Sequence, residues 1–276
     1  MAMRIPTLPK ISIVTPSYNQ ASFLEETIRS ISSQGYPNLE YIVMDGGSTD
    51  GSIDIIRKHQ EGIAFWRSER DAGQSDALCR GFQRANGEVL AYLNSDDTLE
   101  QGTLKIVGEY MASHPEVDLV YGDMNLIDAA GRYLYTAHPL LDLRILVYEN
   151  PFIPQQAMFW RRALYVRVGG VNPALRFAMD YDLALKFLLG GARVAKIRKV
   201  LANFRVHADS KSSTIRDVMH SERKEILSRL CPTNEGKMIR ILKKICYRAL
   251  RFGREPGSIL SAIRSRACSD WGKRDC

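Results

Sequence analysis

Short apolar runs alternate with amphipathic stretches along the first hundred residues. Ile11-Ser-Ile-Val14 predicts a strand, and Ser22-Phe-Leu-Glu25 reads as a capping box opening a helix with Leu24, Ile28 and Ile31 on one face. Tyr41-Ile-Val-Met44 predicts a second strand that breaks at Asp45-Gly-Gly-Ser-Thr-Asp-Gly51. A helix over 52–58, a strand over 63–66, a helix over 75–85 and a strand over 88–93 follow, the last running into Asn94-Ser-Asp-Asp97. Strand and helix alternating in this way predict an α/β fold built on a parallel sheet.

The second half is less regular. Residues 132–135 and 157–160 read as strands, 161–168 and 180–189 as helices, and 194–197 and 201–206 as two closing strands. A polar break at Ala208-Asp-Ser-Lys-Ser-Ser213 separates a helical, basic tail, which places the domain boundary between 214 and 215. Within the tail, residues 237–252 set Met238, Ile241, Leu242, Ile245, Ala249 and Phe252 on one helical face and Lys and Arg on the other.

Charge sharpens that division. The net +7 splits into +8 over residues 216–276 (15 Lys and Arg against 7 Asp and Glu) and −1 over the first 215 (23 against 24). The basic character therefore belongs to the tail, and a nucleic-acid role for the whole chain is not expected. The N-terminus lacks the apolar core of a signal peptide and no apolar run nears the ~18 residues of a membrane span, so a cytoplasmic protein is expected. The amphipathic tail leaves open a peripheral contact with the inner face of the membrane. Five cysteines, widely spaced and without a C-x-x-C pair, point to free thiols rather than to disulfides or a zinc site.

Neither G-x-G-x-x-G nor G-x-x-x-x-G-K-[ST] occurs, which argues against a dinucleotide oxidoreductase and a P-loop NTPase. In open α/β sheets ligands bind outside the carboxyl ends of strands, where Tyr18-Asn19, Asp45 and Asp96-Asp97 fall. Adjacent carboxylates in such a loop can hold a divalent cation with one member and a sugar hydroxyl with the other, or can simply turn the chain. Asp45 with Gly46 and Gly47 serves equally as a turn and as a ligand contact. His207 follows a strand, and spacing alone does not bring it to Asp97. Asp180 heads a helix as N-cap or as a general base; Asp182 points about 200° away around the helix, out of any cleft Asp180 faces.

Taken in order, these strings resemble the family 2 inverting glycosyltransferases of the GT-A fold over about residues 8–210. The resemblance rests on Ile11-Ser-Ile-Val-Thr-Pro-Ser-Tyr-Asn19, Glu40-Tyr-Ile-Val-Met-Asp-Gly-Gly-Ser-Thr-Asp50, Asp71-Ala-Gly-Gln-Ser-Asp-Ala-Leu-Cys-Arg-Gly81, Ala85-Asn-Gly-Glu88, Leu93-Asn-Ser-Asp-Asp97, Met179-Asp-Tyr-Asp-Leu183 and Phe204-Arg-Val-His207. It implies a mostly parallel central sheet flanked by helices, a nucleotide-diphosphate sugar as donor and a glycan or lipid-linked hydroxyl as acceptor. Pro16, Tyr18, Asp45, Asp71, Gly73 and Asp96 would contact the donor, Asp97 and His207 would bind Mn²⁺ or Mg²⁺, and Asp180 would be the base. Two positions depart from the family pattern: Met179 stands where Glu is frequent and Cys79 where Asn is frequent. The rivals are a sugar nucleotidyltransferase, whose basic phosphate loop is missing from Thr15-Pro-Ser-Tyr-Asn19, and a non-catalytic nucleotide- or glycan-binding protein. Acceptor choice is expected to lie in the second half, with Asn150-Pro-Phe-Ile-Pro-Gln-Gln156 as the candidate loop.

Overall fold

Alternate residues of β1 (Ile11–Ser17) enter opposite cores: Ile11 and Ile13 one, Val14 the other, as the two-residue period of a strand covered on both faces requires. β2 (Leu39–Asp45) repeats this, with Tyr41 and Val43 against Ile42 and Met44. The computed structural model describes residues 7–148, 153–208 and 216–232. With β3 (Phe65–Ser68) and β4 (Val89–Tyr92) these strands form a parallel block in the order β3-β2-β1-β4. The helices α1 (Ala21–Ser32), α2 (Ser52–Lys58) and α3 (Gln74–Arg84) alternate with the strands of this block.

From residue 98 the chain continues through β5 (Thr98–Leu99), α4 (Thr103–Ser113), β6 (Leu119–Ile127), β7 (Tyr133–Ala137) and α5 (Leu143–Tyr148). β8 (Met158–Arg161), α6 (Arg162–Arg167), α7 (Met179–Leu189), β9 (Val194–Arg205) and α8 (Arg216–Leu230) complete the described elements. The sheet runs β3-β2-β1-β4-β8-β6-β9-β5, with β7 paired to β6 off this path. β8 is antiparallel to both neighbours, so the parallel character belongs to the first four strands and the rest is mixed.

Two local expectations change. The capping box does not form: α1 begins at Ala21, which puts Ser22 inside the helix, and the Ala21 N–H is met instead by Asp50 Oδ2 at 2.8 Å. The two closing strands are one. Arg198 and Lys199 are exposed and interrupt the apolar pattern, and the pairing to β6 absorbs them as an irregularity between Tyr121–Lys196 and Asp123–Val200. Gly122 makes room for this, because a Cβ there would meet the Leu201 side chain at 2.5 Å and Lys199 O at 2.8 Å. β5, α4, β6 and α5 lie outside the elements read from the sequence, and β6 pairs with β7, β8 and β9.

The tail also differs from expectation at its start. Ile226 of α8 is fully buried in the core that holds Leu183 and Phe187, and Arg229 donates to the buried Asp182 at 2.6 Å. Residues 216–230 thus belong to the folded unit, and the division expected after residue 214 runs through its contacts. The amphipathic stretch 237–252 lies outside the described residues. Among the described residues no helix is long and apolar enough to cross a membrane.

Candidate functional site

A cleft of about 840 Å³ opens at the carboxyl ends of β1, β2, β3 and β4. One bank is made of the loops that follow those strands. Pro16, Ser17 and Tyr18 come from the end of β1, Gly46 and Gly47 from the turn after β2, and Arg70, Asp71, Gly73 and Gln74 from the loop between β3 and α3. Tyr18 is 62% exposed although it lies on the wall, an arrangement that leaves a ring face available for stacking. Gly46 lies so close to Asp71 that a Cβ would come within 2.9 Å of Oδ2, while Oδ1 accepts the Gly73 N–H at 2.8 Å. The Asp71 carboxylate therefore braces two loops at once.

Asp45 stands behind this bank rather than on it. The carboxylate is 2% exposed and accepts the Gly47 and Ser48 N–H groups at 3.1 and 2.9 Å and the Ser48 and Ser68 hydroxyls at 2.5 and 2.6 Å. Four donors leave it shaping the turn, with Gly46 and Gly47 presented to the cleft.

The floor is formed by Tyr92, Asn94, Ser95 and Asp96. Here the two adjacent carboxylates separate. Asp97 is fully buried and accepts the Arg205 N–H at 2.9 Å, the Gln156 amide at 2.9 Å and the Asn94 amide at 3.2 Å. Burial, reinforced by the Asp96 charge, holds the Asp97 carboxyl well above the usual carboxylate range. Asp96 faces the cleft, with Oδ2 3.1 Å from His207 Nε2. The expected pairing of Asp97 with His207 at a cation is thus not what the fold assembles; Asp96 and His207 meet. Phe23 packs on the imidazole with ring centroids 4.6 Å apart, and Arg205 Nε donates to the Asp96 carbonyl at 2.9 Å, so both partners are held in place. Among the described residues no group of three or more His, Cys, Asp and Glu side chains gathers to hold a metal.

The opposite bank comes from distant parts of the chain: Ile153, Gln155 and Gln156, then Phe177–Tyr181, then Met219 and Arg223 of α8. Gln155 donates to Tyr92 O at 2.7 Å, which ties this loop to the floor; residues 149–152 of the expected acceptor loop lie outside the described residues. Asp180 lies on this bank, partly buried, and burial pushes its carboxyl from 3.8 up to about 6. It is not the N-cap of α7, a place taken by Ala178, but lies in the first turn, where its Oδ1 accepts the Tyr181 N–H at 2.6 Å. Asp182 is off the cleft, fully buried and paired with Lys186 and Arg229 at 2.7 and 2.6 Å, as the helical geometry predicts. Of the two departures, Met179 lies on the wall, whereas Cys79 faces Val171 O at 3.5 Å, away from the cleft. Arg70, Met219 and Arg223 carry no motif that singles them out in the sequence, whereas Gln74 lies inside the string from Asp71 to Gly81.

A curled mixed sheet with a cleft across its parallel strand ends is the architecture of the GT-A glycosyltransferases. S. aureus TarS, residues 1–349, in complex with UDP-GlcNAc superimposes with a TM-score of 0.66 at 19% identity over 88% of this chain and 73% of that one. A mannosyltransferase from Pyrobaculum calidifontis in complex with GDP-Man and Mn²⁺ gives 0.64 at 20% identity over 95% and 81%. The family described as Glycosyl transferase family 2 matches residues 12–172, and the chain belongs to it. A Mycobacterium tuberculosis PGL/p-HBAD biosynthesis glycosyltransferase is 30% identical over 96% of this chain and 98% of its own length.

Proposed function

We propose that the protein transfers a sugar from a UDP- or GDP-sugar to the hydroxyl of a glycan or lipid-linked acceptor, with inversion at the anomeric carbon, in the synthesis of a surface polysaccharide or glycoconjugate. The observation that carries this reading is the place of Asp180, a carboxylate on the cleft wall in the first turn of α7, set across from the strand-end loops and raised by burial to about 6 even though its Oδ1 accepts the Tyr181 N–H at 2.6 Å. A base must be deprotonated at working pH and still hold a proton well, and such a value suits both needs.

In this mechanism Tyr18 lies against the nucleobase, Pro16 and the Gly46-Gly47 turn shape its pocket, and Asp71 and Gly73 approach the nucleotide. The acceptor hydroxyl attacks the anomeric carbon from the face opposite the diphosphate. Its proton passes to Asp180 as the bond from the anomeric carbon to the diphosphate oxygen breaks, and the electron pair of that bond leaves on the diphosphate. Asp96, with His207 beside it, fits a Mn²⁺ or Mg²⁺ ion, since such ions take one or two protein ligands and fill their remaining positions with phosphate and water. When bound, the ion supplies positive charge against the leaving diphosphate. Asp97, closed in by three donors, instead fixes the loop that presents Asp96.

Apolar and aromatic residues on the Asp180 bank, namely Ile153, Phe177, Met179, Tyr181 and Met219, support an acceptor with an apolar body beside its hydroxyl. A panel of UDP- and GDP-sugars assayed for nucleoside diphosphate release, followed by NMR of the product anomer, tests the reading. A retained configuration would overturn inversion, and no release with any donor and a lipid-linked or glycan acceptor would overturn transfer. We assign peripheral membrane contact to the amphipathic stretch over residues 237–252. Equal binding of the full chain and a chain ending at residue 232 to anionic vesicles removes that assignment.

A further inference from the structure

Glu222 reaches from α8 to the segment that leads into α7. Its Oε1 accepts the Arg176 N–H at 2.6 Å, and Oε2 accepts the Phe177 and Ala178 N–H groups at 2.9 and 2.8 Å. A helix start leaves backbone N–H groups without intrahelical partners, and α7 has no side-chain cap from its own N-cap, Ala178. Glu222, 44 positions beyond Ala178, instead anchors the N-cap N–H and the two N–H groups before it, fixing the segment that leads into the helix. A carboxylate there is also favoured by the helix dipole.

Three further contacts fasten α8 around the same turn. Arg229 and Lys186 converge on the buried Asp182, Arg223 lies 4.7 Å from the centre of the Tyr181 ring, and Ile226 is fully buried beneath. Asp180 is therefore flanked by residues that α8 holds, at Ala178 on one side and at Tyr181 and Asp182 on the other. Glu222 itself is not on the cleft wall.

We propose that Glu222 is a positioning residue for glycosyl transfer: by holding the backbone of residues 176–178 it sets where the Asp180 carboxylate meets the acceptor hydroxyl, so that α8 completes the active site. The inference rests on the reading of Asp180 as the base. Misplacing a reacting group by about 1 Å can cost on the order of a hundredfold in rate. A purely structural anchor would lower stability and leave the rate of the folded protein alone.

The experiment measures kcat, donor KM, nucleoside diphosphate affinity and Tm in the full chain for Glu222→Gln, Glu222→Asp, Glu225→Gln and Asp180→Asn. Glu222→Gln puts an amide where three N–H donors converge. The expected result is a kcat lowered roughly tenfold to a hundredfold with unchanged nucleoside diphosphate affinity. Glu222→Asp, which keeps the carboxylate, should recover part of the rate. Glu225→Gln, exposed one turn along, should match the wild type. A folded Glu222→Gln with wild-type kcat overturns the proposal. If that variant does not fold, Glu222→Asp decides: a lowered kcat at unchanged affinity supports the positioning role and a wild-type kcat overturns it. Asp180→Asn separates the two levels, because full activity there refutes the base itself rather than its positioning.

Discussion

The strand-end bank of the cleft is assembled from loops that each follow directly on a strand of the parallel block, whereas the bank carrying Asp180 draws on residues 153–156, 177–181 and 219–223, which come together only through the fold. On the first bank every loop inherits its position from a parallel ladder, and short-range bonds such as those to Asp45 finish it. On the second, the segment leading into α7 depends on Glu222 for its anchor, and Asp182 on Arg229 for a partner beyond its own helix. The difference suits a division of labour in which a rigid scaffold holds the common donor and a bank built from long-range contacts adapts to the acceptor.

The sharpest break of this comparison is Asp180→Asn. Turnover should fall by roughly 10²–10⁴, the usual contribution of a general base, while nucleoside diphosphate affinity stays on the level of the wild type. Steady-state kinetics with calorimetric titration checks both, and near wild-type transfer would remove Asp180 from the chemistry. The same residue predicts a pH dependence. The base acts deprotonated and burial holds it at about 6, so kcat should rise with pH up to about 6 and then level. Because the folded state binds this proton more tightly than the unfolded chain, the group costs stability as pH rises from about 3.8 to about 6.

Next in size is the floor. Asp96→Ala and excess chelator should each lower kcat/KM on the order of a hundredfold or more, the several kcal/mol an ion contributes at a developing charge, with little change in Tm. Asp97→Ala should instead lose about 1–3 kcal/mol of stability, because the Arg205 N–H and two amides lose a buried acceptor. Full turnover in chelator would exclude the cation, and the two Asp variants behaving alike would erase the distinction drawn between them.

Smaller effects test each bank separately. Asp182→Asn should destabilise by about 1–3 kcal/mol through its pairs with Lys186 and Arg229, yet keep most turnover per folded molecule. Tyr18→Ala should weaken nucleoside diphosphate binding about tenfold, within the ~1–3 kcal/mol of a base–aromatic stack, and leave acceptor KM alone. Thermal denaturation and donor titration read these out; a change confined to acceptor KM in Tyr18→Ala would put the ring on the wrong bank.

What the chain determined by itself is local. The two-residue alternation in β1 and β2, the helical spacing of Leu24, Ile28 and Ile31, and the polar residues placed directly after strands were legible because each lies within one short window. The opposite orientations of Asp180 and Asp182 were legible for the same reason. Tertiary structure decided which carboxylate of the Asp96-Asp97 pair faces the cleft, that Asp50 rather than Ser22 serves the start of α1, and that Glu222 serves the start of α7. It also turned the first helix of a basic tail into a wall of the site. A carboxylate on a helix surface looks the same in sequence whether it faces water or a distant backbone N–H. Only when the chain folds back across tens of residues does burial give that contact its energy.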